Sequence, residues 1–265
     1  MRLHHGYMGN DGRMHAQSGV QARPDTGVAE PRPTGGYPRT TSFRTRRSAL
    51  SAAQQRTWDR LWPQLGTVAR SADGPADPLD IGAWFGREAP VVLEIGCGTG
   101  TSTLVMAQSE PDVDVIAVEV YRRGLAQLLS GIDRENVGNI RLVRGDALDV
   151  LEHLIPSGTL TGVRVFFPDP WPKARHHKRR LLQPPTVALI ADRLRPGGVL
   201  HTATDHADYA AQIAEVGDAE PRLRRVDPDD PTLPISVVRP TTKYESKAQH
   251  AGSAVTELLW ERTSP

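Results

Sequence analysis

The sequence has almost no cysteine and no long hydrophobic run. Cys97 is the single thiol among 265 residues, which excludes a disulfide framework and any multi-thiolate metal or iron–sulfur site within this chain. No segment approaches the roughly 18 consecutive apolar residues of a membrane span, and the first residues lack the apolar run of a secretory signal. We therefore expect a cytoplasmic protein with no membrane association and no metal site.

The chain also has little net charge, because 32 Lys and Arg residues balance 31 Asp and Glu residues to give a formal charge of +1. This average hides an uneven distribution. Residues 1–47 contain eight Arg and three acids, a balance of +5, which leaves −4 for the remainder. Residues 1–40 are rich in Gly, Pro, Arg, His and Thr and have no apolar periodicity. The sequence thus predicts a disordered basic arm over 1–40 and one folded domain over 41–265.

In the predicted domain, short apolar runs alternate with helix-compatible segments. A short helix over 50–65 comes first, and a turn-rich connector over 71–80 follows it. Strands are predicted over 91–96, 114–120, 140–146, 163–169 and 198–204, with a last strand over 256–262. Helices are predicted over 102–110, 121–135 and 181–198, and an acidic, Pro-rich surface loop over 217–234. This alternation predicts an α/β fold with a parallel sheet, helices on both faces, and a ligand at the carboxyl ends of the strands.

The first strand of the alternating region ends in a glycine-rich turn, Gly96-Cys97-Gly98-Thr99-Gly100. Glycines are needed there because a side chain would block the close approach of a nucleotide. The Gly-x-Gly-x-Gly spacing differs from the Gly-x-Gly-x-x-Gly of dinucleotide folds, and Glu94 precedes it by two residues. A carboxylate there is badly placed for a phosphate and well placed for the cationic amino-acid moiety of a sulfonium cofactor. Since such turns also occur for packing reasons, the loop alone leaves both interpretations open; Cys97 is expected to pack without a nucleophilic role.

Two further acids close the next two strands. Glu119 ends the second strand, where a carboxylate commonly accepts hydrogen bonds from ribose hydroxyls. Asp146 ends the third strand, where it is placed either to contact an adenine amino group or, as its position alone favours, to cap the following helix. Arg122 and Arg123 follow Glu119, so a 2′-phosphate cofactor stays open. Together with Glu94, acids at three successive strand ends favour S-adenosylmethionine in a class I methyltransferase-type sheet.

The fourth strand leads into a proline-flanked acid and a dense basic run. Asp169 lies between Pro168 and Pro170, which stiffen its backbone, and the sheet order places it beside the reactive end of the cofactor. Residues 173–180 contain five Lys and Arg residues and no acid. A charge run is usually only a solvated face, but this one adjoins the predicted site, so we expect it to bind phosphates. Trp171 is expected to pack as ordinary core rather than to stack on a base. His176-His177 is expected to be solvated or to face phosphates rather than to bind a metal.

From about Ser42 to its end, the chain resembles the bacterial tRNA (guanine-N7-)-methyltransferase family. The most specific match is Phe-Phe-Pro-Asp-Pro-Trp-x-Lys-x-Arg-His-x-Lys-Arg-Arg over 166–180, and others cover Leu93–Gly96, Ala203–Asp205 and Arg239–Glu245. The resemblance implies a Rossmann-like class I methyltransferase fold with a mostly parallel seven-stranded sheet. It also implies methyl transfer from S-adenosylmethionine to N7 of a guanine in the tRNA variable loop, forming 7-methylguanosine.

The resemblance further implies a set of site residues. The catalytic aspartate of the family falls on Asp169. The cofactor contacts fall on Glu94, Gly96, Gly98, Gly100, Glu119, Asp146 and Asp169, and the substrate contacts on Lys173, Asp205, Thr242, Lys243, Tyr244 and Glu245. Where the family often has a second Arg and a Gly-His pair after the last of these motifs, this chain has Lys247 and Gly252-Ser253, which leaves the RNA contacts there open.

Two other functions stay open at this point. One is an S-adenosylmethionine-dependent methyltransferase that acts on another RNA or on protein. The other is a non-catalytic RNA-binding protein that uses the basic arm and residues 173–180, although Glu94, Glu119 and Asp169 argue against it because a scaffold needs no cofactor carboxylates. The arm is expected to strengthen RNA binding non-specifically. The sequence predicts neither the oligomeric state nor which tRNAs are modified.

Overall fold

The computed structural model of the protein describes residues 49–240 and 254–264. The predicted basic arm over 1–40 lies outside these ranges, and so do residues 241–253. Within the described ranges, no helix is both long and apolar enough to cross a membrane.

The described residues form ten strands and seven α-helices. The strands are β1 Gly66–Val68, β2 Arg70–Ser71, β3 Gly74–Pro75, β4 Val91–Ile95, β5 Asp114–Glu119, β6 Ile140–Arg144, β7 Leu160–Phe166, β8 Leu194–Thr204, β9 Leu223–Arg225 and β10 Thr256–Arg262. The helices are α1 Ala52–Leu65, α2 Ile81–Phe85, α3 Thr101–Ser109, α4 Arg122–Glu135, α5 Ala147–Asp149, α6 Pro184–Arg193 and α7 Ala207–Ala219. A π-helical turn, Val150–Leu154, continues α5, and a 3₁₀ helix spans Ala174–Arg179.

Eight of the strands form one sheet in the order β1-β6-β5-β4-β7-β8-β10-β9. The pairs from β1 to β8 are parallel, and β10 runs antiparallel to both β8 and β9. This arrangement confirms the predicted Rossmann-like, mostly parallel sheet. It has one strand more than the seven expected, because β1 follows α1 directly and extends the edge beyond β6. Three residues, Gly-Thr-Val, are too short a run to stand out in the sequence.

The sheet reverses its winding at β4, which lies between β5 and β7. In open α/β sheets, ligands bind outside the carboxyl ends of the strands at such a switch point. The fold therefore places the expected ligand site at the ends of β4, β5 and β7.

Apolar side chains cover both faces of the sheet. On one face, Leu93 and Ile116 belong to a core that includes buried residues of α6 and α7. On the other face, Val115 and Ala117 pack with residues of α1, α3 and α4. Because β4 and β5 are buried along their whole length, each strand appears in the sequence as a nearly continuous apolar run.

The predicted helix over 50–65 is confirmed as α1. A capping box begins it, since Ser51 accepts a hydrogen bond from the Gln54 N–H and Gln54 accepts one from the Ser51 N–H. Trp58 is buried and stacks on Trp62 with ring centroids 4.2 Å apart, within the core shared with α4. These contacts attach the helix to the domain.

Several predicted element boundaries were wrong by two or more residues, and in two segments the type of element changes. The helix predicted over 181–198 ends at Arg193, because the fully buried Leu194 already begins β8. The loop predicted over 217–234 begins too early, since α7 continues to Ala219 and β9 follows at Leu223–Arg225. The predicted last strand is confirmed as β10, which lies inside the sheet between β8 and β9.

Candidate active site

Polar features that were predicted from the sequence meet at the carboxyl edge of the sheet. The glycine loop follows β4, Glu119 ends β5, and Asp146 follows β6. Asp169 and Asp205 follow β7 and β8. Since these five strands are mutually parallel, their carboxyl ends share one edge and the features share one site region.

The glycine loop turns sharply between β4 and α3. Gly96, Gly98 and Gly100 have φ angles of 74°, 58° and 74°, in the left-handed region that favours glycine. No atom lies within 4 Å of where a β-carbon would stand on Gly96 or Gly98. The backbone there is thus open to a ligand, whereas a β-carbon on Gly100 would lie 2.6 Å from the Leu128 side chain. Glycine is needed at 96 and 98 for conformation and access, and at 100 also for packing.

Glu94 is a buried carboxylate just below this loop, with only 3% of its surface exposed. Its Oε2 has no hydrogen-bond partner among the described residues. Burial raises the pKa of Glu94, and the nearby Arg164 guanidinium and Thr103 hydroxyl act in the opposite direction. An unpartnered buried carboxylate oxygen is costly unless a ligand group supplies the missing donor. This oxygen fits the cationic amino-acid end of a sulfonium cofactor.

Glu119 joins the end of β5 to the glycine loop. Its Oε2 accepts a hydrogen bond from the Gly98 N–H, and its Oε1 accepts from the N–H groups of Val120 and Tyr121. Burial raises the pKa of Glu119, these three backbone donors lower it, and the charge of Asp169 raises it. Glu119 and Asp169 are therefore close enough to influence each other.

Cys97 lies within the same group of charges. Burial, followed by the charges of Glu94 and Glu119, raises the pKa of the Cys97 thiol well above its usual range. A thiol that stays protonated is a poor nucleophile. Cys97 packs against the core that contains α3 and α4, which fits the packing role expected for it.

Asp146 caps the short helix α5. Its Oδ1 accepts a hydrogen bond from the Leu148 N–H at 2.8 Å. The capping role that its position alone favoured is confirmed, and a contact with adenine stays a proposal.

The loop that carries Asp169 has an unusual backbone. Phe167 and Trp171, two residues before and after Asp169, have φ angles of 50° and 43°. Positive φ in bulky residues costs energy and is found mainly where the surrounding structure holds it for function. The Phe167 N–H donates to the Ala203 carbonyl at 2.8 Å, and Arg239 lies over the Phe167 ring. These contacts fix the loop while Asp169 itself is exposed.

Trp171 is not the core residue that was expected. It is half-buried and lies outside the core clusters of the described residues. The Arg179 guanidinium lies 5.0 Å from its ring centroid, and His176 contacts the ring edge. Trp171 therefore packs against the basic 3₁₀ helix and not in the core.

One of the five bases in 173–180 was wrongly assigned to a phosphate-binding surface. Arg180 is 3% exposed, donates to Pro170 O and Gln212 Oε1, and pairs with Asp208 at 2.5 Å. Its guanidinium also lies over the Tyr209 ring. Arg180 therefore anchors the segment to α7. The remaining Lys173, Arg175, Lys178 and Arg179 stay at least partly exposed at the edge of the site.

The predicted substrate residues are only partly described. Lys173 and Asp205 are both exposed, at the start of the 3₁₀ helix and at the end of β8. Thr242, Lys243, Tyr244 and Glu245 lie outside the described residues. Their segment leaves the described part of the chain at Pro240, directly after Arg239. The side chain of Arg239 is 3% exposed and pairs with Glu257 Oε1 at 2.8 Å.

Sequence reasoning missed three residues at this site. Thr103 is fully buried beside Glu94, and Arg164 is fully buried in the strand next to it. A β-carbon on Gly124 would lie 2.2 Å from the Gly98 carbonyl oxygen, so α4 packs directly against the glycine loop. A lone Arg inside an apolar strand and a Gly in the first turn of a helix were the available signals.

Known proteins resemble this chain closely. A family model described as "Putative methyltransferase" matches residues 88–258. The tRNA (guanine-N(7)-)-methyltransferase of Mycobacterium avium strain 104 is 69% identical over 96% of this chain and 100% of that protein. The protein of the same name from Mycolicibacterium gilvum strain PYR-GCK is 68% identical over 97% of this chain and 100% of that protein. Among solved structures, the 16S rRNA methyltransferase KamB matches 75% of this chain and 99% of its own, with a TM-score of 0.47 and 18% identity.

Proposed function

The chain belongs to the tRNA (guanine-N7-)-methyltransferase family, and we propose that it methylates N7 of a guanine in tRNA with S-adenosylmethionine as the methyl donor. The product is 7-methylguanosine, and the target guanine lies in the variable loop. Glu94 carries this proposal among the described residues, because its buried Oε2 lacks a partner beneath an open glycine loop.

Cofactor binding is assigned to the ends of β4, β5 and β6. When bound, S-adenosylmethionine supplies a methyl group attached to a cationic sulfur. Glu94 binds the cationic amino-acid end, and the open backbone at Gly96 and Gly98 lets the nucleoside approach. Glu119 accepts hydrogen bonds from ribose hydroxyls, and Asp146 contacts the adenine amino group. Acids at three adjacent strand ends support a cationic cofactor over a pyrophosphate.

The guanine is oriented by carboxylates at the ends of β7 and β8. N7 of guanine has an available lone pair, so the reaction needs no general base. Asp169 is the catalytic residue, and it acts with Asp205 by accepting hydrogen bonds from N1–H and the exocyclic amino group, which selects guanine over adenine. Positive charge develops on the base as the methyl group is transferred, and a fixed carboxylate stabilises that charge. The rigid backbone at Phe167 and Trp171 supports such a fixed position for Asp169.

The exposed bases of residues 173–179 bind the tRNA backbone. Lys173, Arg175, Lys178 and Arg179 adjoin Asp169 on the sheet edge, and phosphate contacts from Lys and Arg position a nucleic acid without reading its sequence. The segment 242–245 and the basic arm over 1–40 are further proposed contacts with the RNA.

The test is to incubate the full chain with unmodified tRNA and methyl-labelled cofactor and to analyse the nucleosides by mass spectrometry. Label in 7-methylguanosine at the variable loop supports the proposal. Label that enters ribosomal RNA but not tRNA would favour a methyltransferase with another RNA substrate. Failure to bind the cofactor in calorimetry, with RNA binding retained, would favour a non-catalytic RNA-binding protein.

A further inference from the structure

Three buried polar side chains lie side by side across the sheet, next to the cofactor site. Glu94 on β4 is in register with Arg164 on β7, and Arg164 is in register with His201 on β8. Residues directly opposite each other on adjacent strands project from the same face. Arg164 and His201 have no exposed surface, and Glu94 has 3%. We call Glu94, Arg164 and His201 the cross-strand row.

One of the three guanidinium nitrogens of Arg164 binds neighbouring segments. Its Nη2 donates to Glu110 Oε2 at 2.7 Å and to the Ser236 carbonyl at 3.0 Å. The other oxygen of Glu110 accepts the Ser236 N–H at 2.6 Å. This clamp fixes the chain shortly before Arg239, which leads into the proposed substrate segment 242–245.

The other two guanidinium nitrogens make no such contact among the described residues. Arg164 Nε and Nη1 are buried and have no hydrogen-bond partner there, and the same is true of Glu94 Oε2. Arg164 does not donate to Glu94 in the described part of the chain, so any influence on the carboxylate acts through space from the adjacent strand. In a buried setting such an influence is large, because little solvent screens it.

Each element packed against Glu94 places one residue near its carboxylate. Arg164 projects from β7, the Thr103 hydroxyl from α3 and the Cys97 thiol from the glycine loop, and the paired residue on β5 is the apolar Ala117. The third member of the row adds no charge near neutral pH. Desolvation lowers the pKa of His201 in spite of its hydrogen bond to Glu257. Arg164 is thus the charged neighbour of Glu94 within the row.

We propose that Arg164 is a positioning residue that keeps the buried Glu94 ionised and ready for the cationic end of the cofactor. A carboxyl group in an apolar setting tends to take up a proton, and a protonated Glu94 would neither attract nor neutralise a cation. Arg164 counters that tendency from the neighbouring strand, and Glu94 Oε2 keeps no hydrogen-bond partner among the described residues. The benefit of an ionised Glu94 for cofactor binding rests on the proposed function, whereas the effect of Arg164 on the protonation of Glu94 does not.

The decisive measurement is a pH titration of Glu94 in the free protein, monitored by NMR of ¹³C-labelled glutamate carboxyl groups. Glu94→Gln identifies the resonance by its loss. Arg164→Gln removes the charge but keeps amide donors for Ser236 O and Glu110, and Arg164→Lys keeps the charge. We expect Arg164→Gln to raise the pKa of Glu94 by about one unit or more, as for loss of a close opposite charge, and Arg164→Lys to raise it less.

A matched control is Arg193→Gln. Arg193 is also largely buried and donates to the Leu151 carbonyl, but it ends α6 at the opposite edge of the sheet. The Arg193→Gln variant should leave the titration of Glu94 unchanged. A folded Arg164→Gln protein with the wild-type titration of Glu94 would overturn the proposal and leave Arg164 with a structural role alone.

If Arg164→Gln does not fold, the double variant Arg164→Met/Glu110→Gln replaces the test. Removing both members of a buried pair is tolerated better than removing one. Glu110→Gln alone measures what the Glu110 charge contributes. A higher pKa of Glu94 in the double variant than in Glu110→Gln supports the proposal, and equal values contradict it.

Cofactor binding separates this inference from the proposed function. In Arg164→Gln, the cofactor dissociation constant should rise about tenfold per pH unit below the pKa of Glu94, beginning at higher pH than in the wild type. If Glu94→Gln binds the cofactor as tightly as the wild type, the role of Glu94 in the proposed function is wrong, whatever the titration shows about Arg164.

Discussion

The Gly98 N–H donates a hydrogen bond to Glu119 Oε2 at 3.0 Å, which ties the glycine loop after β4 to the end of β5. The same carboxylate accepts two more backbone N–H groups, at the start of the turn into α4. One side chain thus organises both walls of the proposed cofactor site before any ligand is bound.

Glu119→Ala should therefore raise the cofactor dissociation constant about 10- to 100-fold, since hydrogen bonds to a charged group contribute about 1.5–3 kcal/mol each and the loop loses its tie. Isothermal titration calorimetry measures this. Glu135→Ala is the control, because Glu135 also accepts hydrogen bonds, from Gln108 and Arg134, but at the far end of α4. Equal binding by both variants would show that the loop does not depend on Glu119.

Gly124→Ala should weaken cofactor binding indirectly, by displacing the glycine loop. The new β-carbon would lie 2.2 Å from the Gly98 carbonyl oxygen, so either α4 or the glycine loop must move. Overpacking of this kind costs about 1–3 kcal/mol of stability. Urea unfolding and calorimetry should both report the loss. Gly138→Ala, where no atom lies within 4 Å of the new β-carbon, should change neither, and a neutral Gly124→Ala would contradict the proposed packing.

Two bases of the same run, Lys178 and Arg180, should behave differently when they are replaced. Lys178→Ala removes an exposed charge, so tRNA affinity should fall and the slope of log affinity against log salt should decrease in magnitude by about one, with stability unchanged. Arg180→Ala leaves Gln212 and the Pro170 carbonyl without their donor and should cost about 1–3 kcal/mol of unfolding free energy. Filter binding over a salt series and urea unfolding distinguish them. Interchanged results would refute the assignment of Arg180 as an anchor.

His201 should make the protein less stable in mild acid. Desolvation lowers its folded-state pKa below the unfolded value of about 6.5, so the unfolded chain binds the proton more readily. The stability that His201 contributes is therefore present above about pH 6.5 and is lost as the pH falls through the folded-state pKa. Unfolding free energies measured between pH 7.5 and about 5 should fall more steeply in the wild type than in His201→Gln. Parallel curves would show that His201 does not titrate differently on folding.

The fold and the position of the carboxylates at the strand ends could be predicted from the sequence because each depends on a local pattern, whereas their roles stay predictions. Buried parallel strands produce apolar runs, and Glu119, Asp146, Asp169 and Asp205 occur where those runs end. The parallel order of the sheet then brings the ends together without further information.

Other features depend on contacts between distant segments. Arg180 could not be told from its basic neighbours, because its burial depends on Asp208 and Gln212 in α7. Trp171 was expected in the core because flanking prolines suggest a fixed scaffold, but its ring packs against Arg179. A lone Arg in an apolar strand marks Arg164 as unusual, but its partner Glu94 could not be predicted, since only the strand register brings the two together.

In the proposed mechanism, fixed carboxylates at the sheet edge promote methyl transfer to guanine N7, with Asp169 as the catalytic residue. Single-turnover formation of 7-methylguanosine, followed with the cofactor and tRNA bound, tests it most directly. Asp169→Ala should slow this step about 10²- to 10³-fold, as for loss of one preorganised electrostatic group. Asp133→Ala, which removes an exposed carboxylate on α4 that pairs with Arg60 of α1, should not slow it. A rate for Asp169→Ala close to the wild-type rate would contradict the account.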